Sequence, residues 1–165
     1  MAGPPGYCID RGLSRLGGVA AFVLLGSCAS IADSGDRPAP DVPVILTVAV
    51  SADAGAAPDL AQLRAYLATP AGRGALSRGG DPASVTILAT KREGEVLYVL
   101  ARDTSDDLVP GMSDTFWRAL FVLNGRLVSA AAVGFDQRPI GTDAGLATLQ
   151  SLTERLRREN AQGGA

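Results

Sequence analysis

The chain has 165 residues and carries 15 Lys and Arg against 17 Asp and Glu, a formal charge of −2. That near balance excludes a nucleic-acid surface, which needs a concentrated basic face. Histidine is absent and Lys91 is the sole lysine, so Ser-His-Asp and Cys-His catalysis and His-ligated zinc are excluded, and only carboxylate chemistry stays open.

In chain order, Arg11 and Arg15 precede an apolar run over 16–25, and Gly26, Ser27 and Cys28 follow. A basic flank, a short apolar centre and small residues at a cut site are the marks of a secretory leader. The run is too short for a membrane-spanning helix, which needs about 20 residues. Leu25-Gly26-Ser27-Cys28 resembles the lipobox of bacterial lipoproteins. That resemblance implies cleavage between Ser27 and Cys28 and a diacylglycerol on the Cys28 thiol. It also implies export and a lipid anchor, with Ala29 favouring the periplasmic side of the outer membrane over the inner membrane. Cys8 and Cys28 are the only cysteines; both fall outside the expected folded region, so the cleaved chain forms no internal disulfide. The expected organisation is a signal peptide over 1–27, a lipidated tether over 28–43, one domain over 44–160 and a frayed tail over 161–165. Pro38, Pro40 and Pro43 keep the tether extended.

Residues 44–50 are rich in β-branched side chains and read as a first strand. Pro58 and Asp59 suit a helix start, Leu60, Leu63 and Leu67 give it a buried stripe, and Pro70 ends it. The glycines at 72, 74, 79 and 80 make 71–82 a loop. Gly72-Arg73-Gly74 does not follow a strand and lacks the third glycine of a dinucleotide loop, so it is read as a flexible connection. Residues 85–89 and 96–101 form two strands joined by a turn at Glu93-Gly94, in which Lys91 is solvated. Asp103, Asp106, Asp107 and Asp114 read as a solvated acidic region, since their spacing matches no calcium loop.

Asn124-Gly125 is the dipeptide that a type I′ turn requires. It pairs Leu123 with Arg126, Phe121 with Val128 and Trp117 with Ala132. One face of this hairpin then carries Trp117, Ala119, Phe121, Val128, Ala130 and Ala132. The other carries Phe116, Leu120, Val122, Leu127, Ala131 and Val133, together with Arg118 and Ser129. A last helix starts at Thr142 or Asp143 and buries Leu146, Leu149, Leu152 and Leu156.

These elements imply an α+β fold: one antiparallel sheet of about five strands, in the order β-α-β-β-β-β-α, packed with two helices. Its closing hairpin and helix are weakly similar to the Mog1/PsbP-like fold, on element order alone. The sheet is apolar on both sides, so either one helix covers each face or one face lies bare for a partner. The leading expectation of function is a membrane-tethered, non-catalytic interaction or accessory module of the bacterial envelope, with a protein partner. Its candidate face is Trp117, Phe121, Val128, Ala130 and Ala132. A small apolar ligand or lipid carrier is the alternative, with room beside Ala130 and Ala132. A hydrolase using Asp103 and Asp136 is third, and requires the two carboxyls about 5 or 6.5–9.5 Å apart. No metal or cofactor is expected.

Overall fold

The computed structural model describes residues 3–15, 17, 20–33, 35–51, 58–106 and 109–162. Parts of five expected segments lie outside these residues: 1–2, 16 and 18–19 of the leader, Ser34 of the tether, 52–57 of the loop, Asp107 in the acidic region and the end of the tail. The described chain forms seven strands: β1 (Tyr7–Ile9), β2 (Ala21–Ser27), β3 (Ile45–Val50), β4 (Val85–Glu93), β5 (Val96–Asp103), β6 (Met112–Leu123) and β7 (Arg126–Phe135). Four helices accompany them: α1 (Cys28–Ile31), α2 (Leu60–Leu67), α3 (Pro70–Leu76) and α4 (Thr142–Gln162). The strands make one sheet in the order β1-β2-β3-β7-β6-β5-β4, and every pairing is antiparallel. It consists of two meanders, β1–β3 and β4–β7, joined where β3 pairs with β7.

The α+β class agrees with the sequence reading, while the strand count does not. The two extra strands come from the stretch read as a leader. Val23 and Leu25 of β2 point into the same core as Leu46 and Val48 of β3, and the register pairs Val23 with Val48 and Leu25 with Leu46. Asp10 makes the turn out of β1, its Oδ1 accepting the N–H groups of Gly12 and Leu13 at 2.9 and 3.0 Å. Both cysteines therefore lie inside the fold rather than outside it, and they are joined as the Cys8–Cys28 disulfide with Cα atoms 4.8 Å apart. The closing hairpin and helix behind the Mog1/PsbP-like analogy are present as β6, β7 and α4, and the analogy itself is not confirmed.

The central hairpin follows its turn residues. Asn124 and Gly125 have φ of 50° and 73°, as a type I′ turn needs. Leu123 pairs with Arg126, Phe121 with Val128 and Trp117 with Ala132. The sheet edges are blunted: β1 has three residues, and β4 is bulged between Ile87 and Ala89 and ends in Lys91, Arg92 and Glu93.

Helices cover both faces. On the first, Leu149, Leu152 and Leu156 of α4 share a core with Tyr98, Trp117, Phe121, Val128, Ala130 and Ala132. Two polar bonds fix α4 there: the Tyr98 and Thr153 hydroxyls lie 2.7 Å apart, and the Trp117 indole N–H donates to the Thr142 carbonyl at 2.9 Å. On the second, Leu63 and Leu67 of α2 and Leu76 of α3 pack over Leu97, Val99, Ala101, Phe116 and Leu120.

Of the segment over 71–82 expected as a loop, 71–76 is helical and 77–81 is irregular. Pro70 opens α3 instead of merely ending α2, because Thr69 caps it: its hydroxyl accepts the Gly72 N–H at 3.1 Å. Gly72 is the point where α3 touches α2. A Cβ there would meet the Tyr66 carbonyl oxygen at 2.0 Å and the Leu67 Cα at 2.6 Å. Close packing thus outweighs the poor helix propensity of glycine. Asp59 and Gln62 form a full capping box at the start of α2.

Candidate functional site

Among the described residues, the second sheet face is only half covered. Ile45, Thr47 and Ala49 of β3 and Ser129 of β7 are half-buried there, Phe22 of β2 keeps 36% of its surface, and Leu127 and Val133 of β7 pack against the edge of the core beneath α2 and α3. At the boundary between the covered and uncovered halves stands Arg118. The ladder places it between Val99 of β5 and Ala131 of β7. The alternation of β6 aims it inward with Phe116 and Leu120, both of which are core residues.

Arg118 and Arg78 share one aromatic ring. Their guanidinium carbons lie 5.4 and 5.3 Å from the centroid of Phe116, within cation–π range. Arg78 reaches the ring from the segment after α3, and its Nη2 donates to the Ser113 carbonyl at 3.2 Å. Arg118 Nη1 makes a long contact to the Ser129 hydroxyl at 3.5 Å. Two guanidinium N–H groups, Arg78 Nη1 and Arg118 Nε, are buried without a partner. Burial pushes Arg118 below the ordinary arginine range, and the neighbouring Arg78 charge pushes it further, against the pull of Asp103. Burial likewise lowers Arg78, while Asp103 and Asp114 counter it.

Asp103 is the nearby anion, but it is already spent. It is fully buried. Its Oδ2 accepts the Arg78 backbone N–H at 2.7 Å, and its Oδ1 accepts the Ser84 hydroxyl at 2.7 Å and the Ser105 N–H at 3.0 Å. Burial alone would raise its pKa; the three hydrogen bonds outweigh that and hold it below the usual carboxylate range. Asp103 therefore ties the 77–84 segment to the end of β5. Asp114 faces Arg102 at 3.5 Å.

No protein-family model matches this chain, and no curated protein does. Among solved structures it is similar to the extracellular domain of PknH from Mycobacterium tuberculosis, at 14% identity and a TM-score of 0.35, over 96% of this chain and 80% of that one. A likeness of that size carries no argument about function.

The residues expected from the sequence fall elsewhere. Trp117, Phe121, Val128, Ala130 and Ala132 are at most 7% exposed and sit beneath α4. They are core residues, so they form no exposed docking face. The space beside Ala130 is filled by the α4 leucines of the same core, whereas Ala132 and Trp117 line a small cavity of about 90 Å³ together with Phe135, Ile140 and Gly145. Asp103 is enclosed and fully hydrogen-bonded, whereas Asp136 is exposed on the turn after β7. Lys91 is exposed and pairs with Glu93 at 3.1 Å. Among the described residues no cluster of metal-binding side chains occurs. Ser27 ends β2, and the Cys28 sulfur is held in the disulfide.

The sequence places Arg118 on the second face of the hairpin without a role, and nothing in it marks Arg78. The available signal was Arg118 itself, a lone cation within the run 116–123 that is otherwise apolar on both faces.

Proposed function

We propose that this chain is a non-catalytic interaction domain that works outside the cytoplasm, in an oxidising compartment of the cell envelope. The observation that carries the reading is the Cys8–Cys28 disulfide. It uses both cysteines of the chain, and such bonds persist in exported proteins and are rare in the cytosol. A sheet face left half-exposed beside two half-buried arginines supports a binding role, and the lack of histidine supports a non-catalytic one.

Lipid anchoring belongs to this proposal as the fate of a processed form. It needs a free Cys28 thiol and the removal of 1–27, whereas the disulfide-closed form keeps both cysteines. The two fates exclude each other in any one molecule. Intact-mass measurement of the chain recovered from cells, with and without reductant, separates them. A full-length mass lighter by two hydrogens before reduction marks the disulfide form. A chain starting at residue 28 with added acyl mass marks the anchored form. A full-length chain retained in the cytoplasm with two free thiols overturns the proposal.

A further inference from the structure

We propose that Arg78 and Arg118 form a binding site for a small oxyanion, a carboxylate or a phosphoryl group, at the edge of the half-covered sheet face. The reasoning starts from cost. A guanidinium stays charged in proteins, and burying a charge is expensive unless it is paired and hydrogen-bonded. Here two half-buried guanidiniums, each with one enclosed nitrogen, lie against one ring, so each also repels the other. The ring offsets a part of this. Neither guanidinium has a carboxylate within ion-pairing distance among the described residues. Asp114 is engaged by Arg102, and the Asp103 oxygens are occupied by the Arg78 and Ser105 backbone N–H groups and the Ser84 hydroxyl.

Buried polar groups in folded proteins are nearly always satisfied, and an orphan calls for a water or an ion. Two orphaned N–H donors on two adjacent cations call for an acceptor with negative charge. A guanidinium presents its donors as a planar fork that matches the oxygen pair of a carboxylate or phosphate. The Ser129 hydroxyl, held only at 3.5 Å by Arg118, is free to turn toward such a group. The site does not depend on the compartment proposed above, so its failure would leave that reading standing.

The experiment uses the full chain, labelled with nitrogen-15, and follows the arginine Nε–H resonances by NMR. Inorganic phosphate and acetate are titrated separately at constant ionic strength. The expected result is a saturable shift of the Arg118 and Arg78 resonances with at least one of the two anions. Tighter binding of phosphate assigns a phosphoryl group, and tighter binding of acetate assigns a carboxylate. Arg78→Met and Arg118→Met keep much of the side-chain volume but remove the fork, and each should weaken binding about tenfold or more. Arg118→Lys retains the charge without the fork and should weaken it too. If Arg118→Met does not fold, Arg78→Met gives the same readout from outside the sheet. No saturable shift with either anion overturns the proposal, as does equal affinity in the wild-type chain and the folded variants.

Discussion

Reducing the Cys8–Cys28 bond should destabilise this protein substantially. The bond closes a loop with a sequence separation of 20, for which the chain-entropy relation gives about 3 kcal/mol. Against a typical total of about 5–15 kcal/mol, that is a large share. With a urea slope of about 2 kcal/mol per molar, the midpoint should fall by about 1.5 M. The lone tryptophan, Trp117, is buried beneath α4 and reports the transition by fluorescence. The bond also predicts a pattern among variants. Cys8→Ser, Cys28→Ser and the double variant all break the same link, so the three should lose the same stability rather than adding. An unchanged midpoint after reduction, with both thiols shown to be free by titration, would refute the reasoning. So would additive losses in the two single variants.

Three further outcomes are expected. Gly72→Ala forces a methyl against the α2 backbone and should cost about 3 kcal/mol, read from the same urea curves. Asp103→Ala leaves the Arg78 and Ser105 N–H groups without their acceptor and should cost about 3 kcal/mol. Because the folded pKa of Asp103 is depressed, its contribution is present above the unfolded value of about 3.9 and is lost as pH falls below it. The wild-type chain should therefore lose stability in acid more steeply than Asp103→Ala. Tyr7 donates its hydroxyl to the Val42 carbonyl, and burial pushes its pKa up to about 12. Its neutral form thus stabilises the fold below about pH 10, and that contribution is lost as pH rises towards 12. A Tyr7→Phe variant should show a shallower alkaline loss in thermal melts.

The elements that could be read from the sequence were those with a local cause. Asn124-Gly125 admits one turn, and that turn set the register of β6 and β7 and the faces of both. The leucines of α4 recur at helical spacing, and Leu149, Leu152 and Leu156 became its buried stripe. What escaped had competing causes. Phe22 and Leu24 alternate with Val23 and Leu25, so β2 shows no polar period; a strand covered on one side and a secretory leader then look alike. The glycines of α3 argue against a helix by propensity, and only the tertiary contact of Gly72 with α2 explains them. The arginine pair depends on two residues 40 positions apart meeting over one ring, which no spacing announces.

The place of β3 between β2 and β7 has a price for any molecule trimmed ahead of Cys28. Trimming would strip one flank of β3 of its ladder and leave its N–H and C=O groups facing water or a stranger. It would also take Tyr7, Val23 and Leu25 away from Leu46 and Val48, at about 2 kcal/mol for each lost side chain. Such a remnant would have an adhesive outermost rung, and its associated fraction would rise with concentration. Maturation and self-association would then be two results of a single scission.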